Sequence, residues 1–260
     1  MDDLNKMDSS TLEHIQVILV GITHPGNIGA AARAMKNMGL SHLRLVNPKH
    51  FPSAEATARA SGADDILARA QVFDNYEESL KDCHLILGTS ARQRMIAWPV
   101  LTPKTCADKV LNCSQKIALV FGREQSGLTN PELDLCNYLV QIPTNPQFSS
   151  LNVAAAVQIL AYELRMTSEA LNVSNENNTD LTNLSGQASR HTPASAEAVM
   201  QFYQHLEQTL IEIEFLDPQK PKLLMRHLHR LFNRIQLIDS EVQILRGLLT
   251  ATQKQIHRKD

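Results

Sequence analysis

Five short apolar runs, spaced along residues 15–143 with helix-like stretches between them, constrain this chain more than any other feature. They read IQVILVG (15–21), HLRLVN (42–47), CHLILGT (83–89), KIALVFG (116–122) and YLVQIP (138–143). Each is bounded by turn residues. The middle ones are apolar almost throughout, as strands covered on both faces are. Helix starts fall between them: Thr102-Pro103 and Asn130-Pro131-Glu132 each combine a capping residue with a proline for the first turn. Alternating β and α predicts an α/β domain on a mainly parallel sheet, with helices on both faces. A helix with an alanine-rich face, LNVAAAVQILAYELRM (151–166), closes the region.

Composition then changes abruptly. Residues 172–193 are rich in Asn, Ser and Thr with almost no large apolar side chain, which predicts a flexible linker. The rest reads as three amphipathic helices, a small all-helical domain over 194–260 that is marginal alone and needs a surface to pack on. The expected organisation is a polar, disordered lead-in over 1–14, a catalytic-sized domain over 15–171, the linker, and the helical tail.

Charge and cysteine content exclude several classes. A net charge of −2 argues against a strongly basic nucleic-acid coat protein but allows basic groups gathered on one face. No apolar run approaches the ~18–20 residues of a membrane helix, and the acidic start, MDDLNKMDSSTLEH, is no secretory signal. Cys83, Cys106, Cys113 and Cys136 lack CxxC spacing, and the ten histidines show no metal pattern. Buried free thiols, a cytoplasmic location and no metal are the expectations.

In an open parallel sheet, ligands sit beyond the carboxyl ends of strands, so the loops after the runs carry the chemistry. The first, THPGNIGAAARAM (23–35), lacks both a GxGxxG fingerprint and an acidic residue ending the next strand, so it does not bind a dinucleotide. Arg33 shares a low, Gly/Ala-rich helix face with Gly29. It either meets an anion or a second chain there, or points to solvent. The loop GTSARQRMIAWP (88–99) is cationic through Arg92 and Arg94. LVFGREQSGLTNPEL (119–133) places Gly122, Arg123 and Glu124 directly after a strand, and IPTNPQFSSLNVAAAV (142–157) brings Ser150 and Asn152 to a helix start.

Taken together, N-x-G-x₃-R near the start, FGRE-x₂-GL, and SSLN before an alanine-rich helix resemble the three motifs of the SPOUT superfamily of knotted RNA methyltransferases. They are most similar to its TrmH-type ribose 2′-O-methyltransferases. GTSAR…WP, FYQHLEQTL and RHLHRLF resemble the branch that methylates nucleotide 32, a cytidine or uridine, in the tRNA anticodon loop. The resemblance implies a C-terminal trefoil knot in the α/β domain, S-adenosylmethionine as cofactor, tRNA as partner, a homodimer, and no membrane association.

Residue by residue, it assigns cofactor contacts to Gly88, Thr89, Ser90, Ala91, Gly122, Glu124, Ile142 and Leu151. It assigns catalysis to Arg33, with Asn27, Ser150 and Asn152 positioning ribose and phosphate. Because a guanidinium has a pKa above ~12, Arg33 is expected to stay charged and stabilise an alkoxide rather than remove a proton. RNA contacts are expected from Arg92, Arg94, Arg123, Lys222, Arg226, Arg230 and Arg234. The last three recur every four residues, opposite an apolar stripe of Leu224, Leu228, Leu231 and Ile235. Action on ribosomal RNA or another tRNA nucleotide, or a non-catalytic RNA-binding role, are the alternatives.

Overall fold

The computed structural model describes residues 12–91, 98–176, 192–221 and 223–256. All five apolar runs are strands: β1 (Ile15–Val20), β2 (His42–Val46), β4 (Leu85–Thr89), β6 (Ile117–Phe121) and β7 (Tyr138–Val140). Two short strands join them, β3 (Gln71–Phe73) and β5 (Val100–Leu101), one on each edge. At three and two residues they are too short to show a hydrophobic period. The seven-stranded sheet has the order β3-β2-β1-β6-β4-β7-β5, and every pair in it is parallel.

Alternation along β1 divides the core. Val17 and Leu19 enter one layer with Leu45, Leu119 and Phe121. Ile18 and Val20 enter the other with Val120, Trp98 and Leu133. Each such fully buried side chain contributes ~1.5–3 kcal/mol relative to exposure.

The first layer is covered by α1 (Pro25–Asn37), α4 (Pro103–Leu111) and α6 (Val153–Glu176), with α2 (Ala54–Ala60) and α3 (Asp64–Ala68) alongside. Gly29 sets how closely α1 approaches α2, because a Cβ there would overlap the carbonyl oxygen of Ala56. α6 runs past the expected domain boundary at 171, so the first residues assigned to the linker are helical. At the other end Leu12 is buried in the core, which shortens the expected lead-in.

The short helix α5 (Asn130–Asp134) is capped by Thr129 rather than Asn130, through a capping box with Glu132. The tail forms α7 (Ala196–Glu212), α8 (Leu224–Asn233) and α9 (Asp239–Ile256) around Phe202, Tyr203, Leu206 and Leu249. It docks on the second face of the sheet: Ala196 packs in that layer, and its N–H donates to the Cys83 carbonyl at 2.8 Å.

All four cysteines are free thiols, and Cys83, Cys106 and Cys136 are buried. Burial pushes each of those three up to about 12. Among the described residues no helix is long and apolar enough to cross a membrane, and no group of three His, Cys, Asp or Glu side chains could hold a metal.

Candidate active site

The carboxyl ends of β4, β6 and β7 open into a cleft. Thr89, Ser90 and Ala91 line it after β4, Gly122 and Glu124 after β6, Ile142 after β7, and Ser149, Ser150 and Leu151 at the turn into α6. Seven of the eight expected cofactor residues therefore share one cavity.

Gly88 is the exception. It lies within β4, outside the lining of the cleft, where a Cβ would sit 2.7 Å from Cys136 Sγ. Its role is close packing beneath the strand. Gly122 is required by its own loop: residues 123–127 turn back over it, so a Cβ would overlap the backbone of Gly127 and Leu128. Arg123 and Gly127 close that turn through paired N–H···O bonds of 3.2 and 2.9 Å.

The three motif segments meet in one chain of hydrogen bonds. Asn152 Nδ2 donates to Asn27 Oδ1 at 2.9 Å, and Asn27 Nδ2 donates to Glu124 Oε1 at 3.0 Å. Glu124 also accepts from the Thr23 amide and hydroxyl and from the His24 amide, each at 3.2 Å. Asn152 Oδ1 accepts from Ala154 N at 2.9 Å, so the residue caps α6 as well.

Glu124, expected at the cofactor, thus lines the cleft and also fastens the first loop to the third. His24 is the N-cap of α1, its Nδ1 accepting from Gly26 N, and Pro25 opens the helix. Proline after a capping-competent residue was the signal in the sequence.

Burial raises the Glu124 carboxyl, but hydrogen bonds from Asn27, its own amide and those of His24 and Thr23 outweigh it, leaving the group below its ordinary 4.5. Because the folded value is depressed, this tie contributes fully above 4.5 and is lost as pH falls through the folded value. Glu124→Gln removes the charge on which these donors converge. Methyl transfer is expected to fall about tenfold or more, on the scale of a hydrogen bond to a charged group, with the circular dichroism spectrum unchanged.

Arg33 is exposed in the middle of α1, outside the lining of the cleft, with no hydrogen bond or ion pair among the described residues.

The expected RNA contacts separate into groups. Arg92, Arg94 and Lys222 lie outside the described residues. Arg123 is engaged instead in a two-pronged pair with Glu132, at 3.0 and 2.9 Å, which ties the loop over Gly122 to α5. Arg226 is likewise taken, its Nε donating to both oxygens of Asp134 at 3.0 and 2.9 Å. It holds the helical tail to the catalytic domain rather than facing phosphate. Beside it, Asn233 Nδ2 donates to the Asp134 carbonyl at 2.9 Å, and Asn137 Nδ2 donates to the Asn233 carbonyl at 3.2 Å. Arg230 and Arg234 form no ion pair among the described residues, and Arg234 is exposed.

The expected apolar stripe of α8 is rotated. Leu228 and Phe232 pack inward, whereas Leu231 and Ile235 are exposed. His229 stacks on Tyr203 with ring centroids 4.0 Å apart, and burial pushes it down to about 4, uncharged near neutral pH. A row of like charges marks a helix face without saying what covers it. Both carboxylates that claim Arg123 and Arg226 come from α5.

Burial raises the Asp134 carboxyl, and the Arg226 guanidinium offsets only part of that. Arg226→Ala should therefore strand a largely buried carboxylate and cost about 2–4 kcal/mol of stability. Thermal and urea unfolding check this, and Arg234→Ala, at an exposed position, should leave both transitions unchanged.

Comparison with known proteins follows the same division. Residues 14–162 match the SpoU rRNA Methylase family, and this chain belongs to that family of methylases. Its tail, residues 197–260, matches the C-terminal domain of the tRNA methyltransferase TrmJ. The chain is 51% identical over 247 residues to the tRNA (cytidine/uridine/adenosine-2′-O-)-methyltransferase TrmJ of Pseudomonas aeruginosa, covering 94% of this chain and 95% of that one. It is 47% identical over 242 residues to the tRNA (cytidine/uridine-2′-O-)-methyltransferase TrmJ of Sodalis glossinidius, covering 92% and 91%. Among solved structures, TrmJ from Z. mobilis superposes with a TM-score of 0.79 at 33% identity, over 92% of this chain and 98% of that one.

Proposed function

We propose that this chain is a cytoplasmic, homodimeric, S-adenosylmethionine-dependent methyltransferase acting on the ribose 2′-hydroxyl of nucleotide 32 in the tRNA anticodon loop. The carrying observation is the Asn152–Asn27–Glu124 chain, which gathers all three motif segments at the mouth of one cleft. The cleft suits the cofactor: small side chains and apolar ones, among them Phe121, Leu128, Val140, Ile142, Leu151 and Val153, make up much of its wall, and its acidic residue, Glu124, is already hydrogen-bonded to Asn27. The knot belongs to the same reading, since the segments lining the cleft are those such a knot would tie.

When bound, the cofactor supplies a methyl group on a sulfonium, which leaves as a neutral thioether once the carbon is taken. The protein's own task is to hold the 2′-oxygen in line and stabilise the charge it gains as its proton passes to water. Ser150, which lines the cleft, and Asn152, hydrogen-bonded to Asn27 beside it, orient the ribose. Arg33 comes from the second subunit, because its own chain leaves it exposed and outside the cavity. Tyr162 and Met166, 49% and 38% exposed on α6 with Ala155 on the same face, provide an apolar strip for the dimer contact.

Transfer of labelled methyl to unmodified tRNA transcripts, mapped by nucleotide digestion, tests the reading. Label on the ribose of nucleotide 32 supports it; transfer only to ribosomal RNA, or none with cofactor bound, overturns it. Transcripts with each base at position 32 belong in the same assay, because the two relatives differ in whether adenosine appears in their names.

A further inference from the structure

Phe148 is 79% exposed, more than any other large apolar side chain among the described residues. A phenyl ring in water forgoes the burial that makes such residues core formers. The ring is nevertheless held out by an ordered turn. Phe148 N donates to the Asn145 carbonyl at 2.9 Å, Gln147 N to Asn145 Oδ1 at 3.0 Å, and Thr144 Oγ1 to the Ser149 carbonyl at 3.3 Å. Pro143 and Pro146 restrict the backbone on either side of that turn.

The position is as informative as the exposure. Phe148 directly precedes Ser149 and Ser150, which line the cleft, and lies four residues before Asn152 in the motif-joining chain. The whole stretch QIPTNPQFSSLNV, 141–153, carries no ionisable side chain. A loop without charge gains little from phosphate. A flat apolar ring beside amides and hydroxyls matches the face of a nucleobase, and bases of single-stranded loops are held by such stacking.

We propose that Phe148 stacks on a nucleobase of the substrate RNA, at or beside the target nucleotide, and so presents the adjoining ribose to the cleft. The inference rests on the RNA methyltransferase reading above and adds the group that grips the strand. The exposed ring makes its replacement nearly neutral for stability.

Phe148→Ala, Phe148→Leu and Phe148→Tyr would be compared with wild type in steady-state methylation of a tRNA transcript. S-adenosylhomocysteine affinity is measured by calorimetry and mass by light scattering. Alanine and leucine are expected to raise KM for tRNA about tenfold or more, the scale of one lost base stack, while tyrosine stays within about twofold of wild type. Cofactor affinity and mass should not change.

An unchanged KM in alanine overturns the proposal. So does leucine performing like tyrosine, which would mean apolar contact without stacking. A lowered mass would place Phe148 between subunits and overturn it too. In each of those cases wild type still methylates tRNA, so the enzyme reading stands; wild type without transfer to any RNA removes both.

Discussion

Arg33→Ala is expected to lower kcat by about 100- to 1,000-fold while S-adenosylhomocysteine binding stays within about twofold of wild type. A ribose hydroxyl is a weak nucleophile near neutral pH, and a donor aimed at the charge it develops is worth ~2.7–4 kcal/mol of barrier. Arg33 is suited to that task because it is exposed on α1 and, among the described residues, has no hydrogen bond or ion pair. Arg33→Lys keeps the charge and loses the fork, so near-normal turnover in lysine would show that charge alone suffices. Methyl transfer and calorimetry on the same preparations separate the chemical step from cofactor binding.

Gly122→Ala is expected to weaken S-adenosylhomocysteine binding by tenfold or more. The added methyl would meet the backbone of Gly127 and Leu128, which cannot rotate away as a side chain could. The loop over 123–127 must shift, at ~1–3 kcal/mol for overpacking, and Glu124 moves with it. Gly247→Ala is the control: it meets nothing within 4 Å on α9 and should be neutral or slightly stabilising.

Mixing the two defective proteins adds a further arm. Arg33→Ala supplies an intact cofactor cleft and Gly122→Ala an intact arginine. A site built from two chains should regain activity in mixed dimers; a site within one chain should not.

The fold was legible where hydrophobic pattern and turn chemistry agree. Long runs such as IQVILVG and KIALVFG were visible as buried strands, and Thr102-Pro103 marked a helix start. β3 and β5 were not visible, because a two- or three-residue edge strand is defined by its neighbour's hydrogen bonds rather than by its own pattern. The motif spacing led to most of the cleft, since those loops follow strands whose order places them side by side.

Side-chain partners were harder to read. Nothing local indicates that Arg123 meets Glu132, that Arg226 meets Asp134 across the domain boundary, or that Gly88 serves packing. The rotated face of α8 failed for the same reason. Its leucines satisfy a helical period on two faces, and only docking against Asp134 and Tyr203 decides which face turns inward.

The order of strands also bears on how the chain is made. β1 is paired on one side with β2, a few tens of residues away, and on the other with β6, so Ile15 finds Ile117 only after most of the domain has been synthesised. The helix that packs beside α1 on the same face of the sheet, α6, begins later still, at Val153. At ~5–20 residues per second, the apolar edge of β1 waits several seconds on the ribosome without its second neighbour. Contacts this distant in sequence slow folding. The nascent amino-terminal half, with Val17 and Leu19 unpaired on that edge, is the stage at which this protein most depends on being shielded from other chains.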